Sequence, residues 1–338
     1  MSTEDQLEER LSRPSAADVE AMHGLAGDFL VLGAGGKMGP SLVRRAVRAI
    51  RTGGGNTRVI AAARFTQASL REELERDGAR TVCVDLLDSR QVAELPGAAN
   101  VVFMAGRKFG STGDAPLTWA VNAWAPALVA QRFSSSRIVA FSTGNVYPFT
   151  PAGSGGPTEE TTPAPVGEYA QSALARERIF EYFSARERTP VALLRLNYAI
   201  DLRYGVLLDI GRKVFERRPV ELAMGYVNVI WQGDANSACL RSFPLCQSPA
   251  RVLNLTGGET LAVRAIAAEF GKRFRIDPVF AGEPAPSALL SNSAEYRRLL
   301  GEPEVTPAEM IGLVAHWIQT GGKTWDKPTH FEARDGKF

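Results

Sequence analysis

The chain is short of what several protein classes require. Its 338 residues hold three cysteines, Cys83, Cys239 and Cys246, with no CxxC pair. That argues against a disulfide scaffold and a zinc site, so reduced structural thiols and no metal are expected. Charge is nearly balanced, with 39 Lys plus Arg against 37 Asp plus Glu and a net charge of +2. No nucleic-acid partner is implied. No apolar run approaches the length of a membrane span, and the opening MSTEDQLEERLSRPSAADVEAMHGLAG carries acids without a long apolar core. Neither a secretory signal nor a membrane partner is expected, and a cytoplasmic protein follows. The length suffices for one large domain or two modest ones with a sizeable core.

What is present begins with DFLVLGAGGKMGPSLVRRAVRA, residues 28 to 49. Phe29 to Leu32 read as a buried strand. Leu42, Val43, Ala46, Val47 and Ile50 then recur at helical spacing. Between them stand Gly33, Gly36 and Gly39. Glycine permits a tight turn and a close backbone approach to a pyrophosphate, while the first free amides of the following helix face the anion. An ordinary tight turn is the plainer reading of such a loop. The strand before it and the helix after it favour a dinucleotide site.

Further apolar runs at 58–63, 81–84, 101–105, 138–141 and 191–196 read as strands, alternating with helices at 38–51, 67–77, 115–133 and 168–186. The strands lack polar alternation, which suits a parallel sheet covered on both faces. The fold class expected is α/β, a Rossmann-type doubly wound parallel sheet. Residues 1–27 read as an N-terminal helical extension, 28–196 as the dinucleotide-binding domain, and 197–338 as a smaller α/β substrate domain and tail, with some segments packing back. PFTPAGSGGPTEETTPAP, residues 148 to 165, is a loop that either covers a site or runs over the surface.

Several motifs in order carry a resemblance to a family. GAGGKMG is followed by VDLLD at 84–88, VVFMAG at 101–106, VNAW at 121–124, FSTGNVYP at 141–148 and GEYAQSALARERIFE from Gly167. RLNYA at 195–199, VNVIWQGD at 227–234 and LNLTGGE at 253–259 follow. Together they resemble the extended short-chain dehydrogenase/reductase family, the group of NAD-dependent epimerases and dehydratases, over about residues 28 to 320. The resemblance implies a cofactor site with Gly33, Gly36, Lys37, Met38 and Gly39 in the first turn and Asp85 with Leu86 beside the adenine. Ala105 and Gly106 would form the fourth-strand turn, with Asn122 on the next helix. It also implies hydride transfer between a sugar carbon and the nicotinamide, with Tyr169 relaying a proton and Thr143 sharing its hydrogen bond. From the residues alone, a hydroxyl at a strand end and a phenol on the next helix suit one crevice, although a core tyrosine with a capping threonine has the same pattern.

The chain departs from the family's YxxxK, because Ala173 stands at the lysine position. In the family that lysine holds the nicotinamide ribose and lowers the tyrosine pKa. An unassisted phenol titrates near 10, so only about one in a thousand is ionised at pH 7, a penalty of roughly 4 kcal/mol on a step that needs tyrosinate. Lys108 is a candidate replacement, in the place where the sugar epimerases resembled here carry a cofactor-contacting lysine, or else it is a solvated loop charge. Arg176 lies on the face of Tyr169 but about 10.5 Å along the helix. A surface ion pair with Glu177 or Glu181 is expected for it.

Ala63 takes the place of the acid that would accept the NAD ribose hydroxyl, and Arg64 follows it. Arginine suits a 2′-phosphate, so NADP is favoured over NAD, with Lys37 adding to that lean. Gly144 and Asn145 replace the Asp-Glu pair of the resembled 4,6-dehydratases, which disfavours water loss and leaves Asn145 to bond a substrate hydroxyl. Asn197, Tyr198 and Arg203 are expected to face the substrate, although Arg203 also pairs naturally with Asp201. Trp231 reads as a pocket wall or a core residue. The polar tail GGKTWDKPTHFEARDGKF, with His330, reads as partly ordered or as a dimer arm. The expectation is an NAD(P)-dependent oxidoreductase or epimerase acting on a sugar, nucleotide-sugar or sugar-derived substrate, as a homodimer through the helices at 115–133 and 168–186. The alternatives are a dinucleotide-binding sensor or scaffold that has lost catalysis, and a reductase in which neutral Tyr169 donates a proton.

Overall fold

A computed structural model describes residues 1–108, 110–111 and 113–337. Phe109 of the MAGRKFG segment, Thr112 and the last residue of the tail, Phe338, lie outside the described residues. Seven parallel strands form the main sheet: β1 Phe29–Leu32, β2 Val59–Ala63, β3 Arg80–Cys83, β4 Asn100–Phe103, β5 Arg137–Thr143, β6 Val191–Leu196 and β7 Arg251–Leu255. In space they run β7-β6-β5-β4-β1-β2-β3. The order reverses between β1 and β4, and a crevice opens outside the strand ends at that point.

The uniformly apolar strands feed two cores. Phe29 and Val31 of β1 join one buried cluster, while Leu30 and Leu32 join the cluster on the opposite face. Strand geometry sends alternate side chains to opposite sides, so a strand covered twice has to be apolar throughout. β7 comes from the C-terminal third and pairs with β6, Val252 opposite Leu193 and Leu253 opposite Leu194.

Helices α1 Glu4–Ser12 and α2 Ala16–His23 precede the sheet and lie on helix α3 Gly39–Thr52. Ser15 and Asp18 cap α2 reciprocally. The buried Asp18 carboxylate also accepts from Arg45 Nε at 2.8 Å and Ser237 Oγ at 2.6 Å, tying α2 to α3 and to the helix Gln232–Arg241. Leu7 and Leu11 of α1 are fully buried in a further cluster built mainly from residues of the C-terminal third. The N-terminal segment is therefore part of the packing around the cleft.

The segments Ala115–Trp119, Ala120–Trp124 and Ala125–Arg132 run on from one another, the middle one as a π-helical turn. They pack against α4, Gly167–Glu187. The short strands Thr150–Pro151 and Ser287–Ala288 pair antiparallel, and Glu159 accepts from the Asn254 amide at 2.8 Å. The loop at 148–165 is thus pinned near the end of β7.

Candidate functional site

The glycine loop and the turn after β4 meet through backbone. Gly33 has φ +90°, and a Cβ there would lie 2.6 Å from the Ala105 nitrogen. Only glycine satisfies both the angle and the approach. The Gly36 amide closes the turn on the Gly33 carbonyl at 3.0 Å, and Gly39 packs against the Ala34 carbonyl. Met38 is buried and begins α3 with no side-chain cap. A 14-residue helix therefore starts at the cleft with the positive end of its dipole, an arrangement that suits an anion, although Pro40 has no amide hydrogen and the Gly39 amide is bonded to the Gly36 carbonyl.

The cleft beside the loop encloses about 1470 Å³ and is lined by Gly36, Lys37, Gly106, Lys108, Arg203 and Tyr204 among others. The Lys37 ammonium donates to the Ala199 carbonyl at 3.0 Å and sits 4.1 Å from the centre of the Tyr204 ring. Burial pushes its pKa down to about 7, with Lys108 and Arg203 adding repulsion against the pull of Asp201. Lys108 donates to the Thr329 carbonyl at 3.4 Å, and its ammonium is 6.0 Å from the centre of the Tyr169 ring. Burial pushes it down to about 8, with Asp209 and Glu332 opposing. Two lysines held below their ordinary range beside an uncapped helix form a site whose protonation a bound anion would restore.

The structure places Thr143 at the end of β5, where its hydroxyl donates to Asn145 Oδ1 at 3.0 Å and accepts from the Asn145 amide at 3.2 Å. Tyr169 is half-buried in the first turn of α4. Ala173 is fully buried against Val146 and Tyr147, so the space beside it belongs to the core.

Arg176 departs from the surface ion pair expected of it. It is buried, and donates to Asn122 Oδ1 and to the Phe141 carbonyl, each at 2.8 Å. Its guanidinium also abuts Gly106, where a Cβ would lie 2.9 Å from Nη2. Burial lowers its pKa, with Tyr169 and Glu177 opposing. Glu177 instead forms a buried pair with Arg195 at 2.7 Å and accepts from Ser142 at 2.5 Å. The spacing to Tyr169 was visible in the sequence, but the long arginine side chain reaches back across a face that the 115–132 segment covers.

Asn122 lies in the π-helical turn and joins four groups. Its Oδ1 accepts from the Arg107 amide at 2.9 Å as well as from Arg176, and its Nδ2 donates to the Arg107 carbonyl and to Ser172 Oγ. Ser172 Oγ in turn donates to the Tyr169 carbonyl at 3.0 Å. The turn after β4 is thereby fastened to the helix that carries the phenol.

At the far end of the expected cofactor site, Arg64 is exposed and its carbonyl accepts from Cys83 Sγ at 3.4 Å. Asp85 Oδ1 accepts from the Leu87 amide at 3.0 Å, and Leu86 is buried in the core. Of the substrate-facing candidates, Asn145 and Tyr198 line one small cavity, which also touches Phe331 of the tail. Asn197 is buried against Gly144. Arg203 is bonded to Asp201 at 2.7 Å and to Glu8 at 2.8 Å and lies under the Trp325 ring, so its charge is engaged on three sides. Trp231 is a core residue. The tail is folded back over the cleft, a position that its polar composition gave no signal for.

No group of three or more His, Cys, Asp or Glu side chains placed to hold a metal occurs among the described residues. None of the described helices is long and apolar enough to cross a membrane.

None of the curated proteins matches the chain. Several solved structures do. The UDP-glucose 4-epimerase of Thermotoga maritima, solved with UDP-glucose, is 15% identical with a TM-score of 0.69, over 87% of this chain and 99% of its own. The UDP-glucuronic acid 4-epimerase of Bacillus cereus, solved with UDP-glucuronic acid and NAD, is 16% identical with a TM-score of 0.71, over 86% and 99%. The dTDP-glucose 4,6-dehydratase of Streptomyces venezuelae, solved with NAD, is 18% identical with a TM-score of 0.72, over 86% and 97%. These likenesses show the fold. The NAD dependent epimerase/dehydratase family model matches residues 29–199, just over half of the chain, a span that runs from β1 through the glycine loop, Thr143 and Tyr169 to Ala199 beneath Lys37. The protein is therefore a member of the NAD dependent epimerase/dehydratase family.

Proposed function

We propose that the protein is a nicotinamide-dinucleotide-dependent oxidoreductase or epimerase that acts on a sugar, nucleotide-sugar or sugar-derived substrate. The observation that carries this reading is that the glycine loop, Gly106 and Lys108 line one cleft, and that the Lys108 ammonium stands 6.0 Å from the Tyr169 ring centre. The residues present fit the dinucleotide at its pyrophosphate, because the uncapped start of α3 and the depressed Lys37 and Lys108 all favour an anion. The glycine loop, Lys37 and the dipole at the start of α3 would hold the diphosphate, and Lys108 the nicotinamide side. When bound, the nicotinamide supplies hydride acceptance and return.

The chain's own groups handle the proton. Tyr169 exchanges it with a substrate hydroxyl, Thr143 with Asn145 orients that hydroxyl, and Lys108 supplies the positive charge that Ala173 does not. NADP is proposed over NAD on the strength of Arg64, exposed where β2 ends. A homodimer is proposed through the paired helices at 115–132 and 167–187, which expose Trp124 and Tyr182.

The test is nicotinamide absorbance during incubation with candidate sugars and nucleotide sugars. A sugar-dependent change in wild type that disappears in Tyr169→Phe is expected. A change that persists in Tyr169→Phe would remove the phenol from the mechanism. A protein that binds the dinucleotide without any such change would favour a sensor or scaffold, the reading that Ala173 supports.

A further inference from the structure

We propose that the C-terminal tail, residues 323–337, is a displaceable plug at the edge of the reaction cleft, and that it has to lift before a substrate enters the small cavity beside Asn145 and Tyr198. The proposal rests on the assignment of that cleft made above.

The tail has no helix or strand, yet three of its residues turn inward: Thr329, Phe331 and Gly336 are buried among exposed and half-buried neighbours. Phe331 is 2% exposed and joins the cluster to which Phe149 and Tyr198 belong. The cavity lined by Asn145, Tyr147 and Tyr198 on one side and by Phe331, Ala333 and Gly336 on the other retains about 20 Å³. On that measure one water needs about 10–15 Å³, so the cavity has room for about one water and no sugar enters while Phe331 is seated.

Some of the attachments fall on a group the reaction would use or close to one. The Thr329 carbonyl accepts from the Lys108 ammonium at 3.4 Å. The Thr329 amide and hydroxyl donate to Asp209 at 2.7 and 2.5 Å. Gly336, with φ +71°, packs on the Val166 carbonyl and on Gly167, two residues before Tyr169. Arg334 donates to the Ser287 carbonyl and hydroxyl at 2.7 and 2.8 Å and lies over Phe149. Upstream, the Trp325 amide donates to the Arg203 carbonyl at 3.1 Å. Two aromatic anchors, Phe331 and Trp325, and side-chain contacts that include the ion pairs Arg212–Asp326 at 3.1 Å and Lys213–Glu332 at 3.6 Å, without a ladder of backbone bonds, describe a segment that opens locally while the rest of the molecule stays folded.

Two measurements on the full-length protein test this, and neither uses cofactor or turnover, so the functional reading stands or falls separately. The first is acetylation of Lys108 by limiting acetic anhydride, followed by peptide mass spectrometry with the exposed Lys272 as internal reference. Phe331→Ala should raise the Lys108 rate at least fivefold over wild type and leave Lys272 unchanged, and a chain ending at Lys327 should do the same. Unchanged Lys108 labelling in a folded Phe331→Ala protein overturns occupancy. The second is hydrogen exchange in wild type. The amides of Thr329 and Phe331 should exchange at least tenfold slower than in a free peptide but well before the amides of β5. Exchange as slow as β5 makes the tail a fixed wall, and exchange at the peptide rate means it is not seated. Either result ends the proposal.

Discussion

Arg176 Nη2 donates to Asn122 Oδ1 at 2.8 Å from a buried position, so a charged side chain two turns beyond the phenol fastens α4 to the turn after β4. The helix segment at 115–132 contributes the asparagine through its π-helical turn. Ala173 is buried in apolar contacts, while the Lys108 ammonium stands 6.0 Å from the centre of the Tyr169 ring.

Arg176→Met should destabilise the fold by about 1–3 kcal/mol, since it leaves the buried Phe141 carbonyl without its donor. Urea unfolding measures this. Arg176→Lys should recover part of the loss by keeping one donor. A neutral outcome for Met would mean that the guanidinium holds nothing together.

Gly33→Ala should cost more than about 1 kcal/mol, because alanine resists φ +90° and its Cβ would collide with Ala105. A lowered melting temperature is expected, together with loss of dinucleotide binding. Gly54→Ala provides the comparison: φ there is also positive, but no atom lies within 4 Å of the added carbon, so strain acts without collision.

Much of this was legible in the sequence, and the reasons differ by element. The ends of β1 and β6 coincide with the apolar runs because both strands are covered on both faces. β7 was recognisable only as a landmark, since RVLNL carries Asn254, a buried side chain bonded to Tyr147 and to the 148–165 loop that a composition reading counts as polar. The glycine loop, Thr143, Tyr169 and Asn122 follow local motifs. Arg176 was assigned to the surface because helical spacing gives an angle and an axial distance, while burial depends on a helix fifty residues away in the chain. Phe331 gave no signal at all. It is one aromatic residue among the charges of residues 327–337, and only the fold shows the pocket waiting for it.

Protonation should couple to binding. Lys37 near 7 and Lys108 near 8 lie below their unfolded value of about 10.4, so between those limits the unfolded chain binds more protons and folding stability rises with pH. A diphosphate reverses the bias by favouring both cations. Binding of a dinucleotide at pH 8 should take up on the order of one proton, and affinity should fall as pH rises from 7 towards 9. Calorimetry in buffers of different ionisation enthalpy reads the uptake directly, and proton release would place the anion away from these lysines.

A dimer through the 115–132 and 167–187 helices would cover Trp124, now 54% exposed, and Tyr182, now 55% exposed. Light scattering should give twice the chain mass for wild type and a shift towards monomer for Trp124→Glu. A monomeric wild type would contradict the dimer.

The central claim is that a nicotinamide dinucleotide occupies the cleft beside Gly36, Lys37 and Lys108. Calorimetric titration of the full-length protein with NAD, NADH, NADP and NADPH tests it most directly. The account predicts binding with one site per chain, tighter for the NADP pair, and weakened at least tenfold by Lys108→Ala. Absence of binding by all four would contradict it.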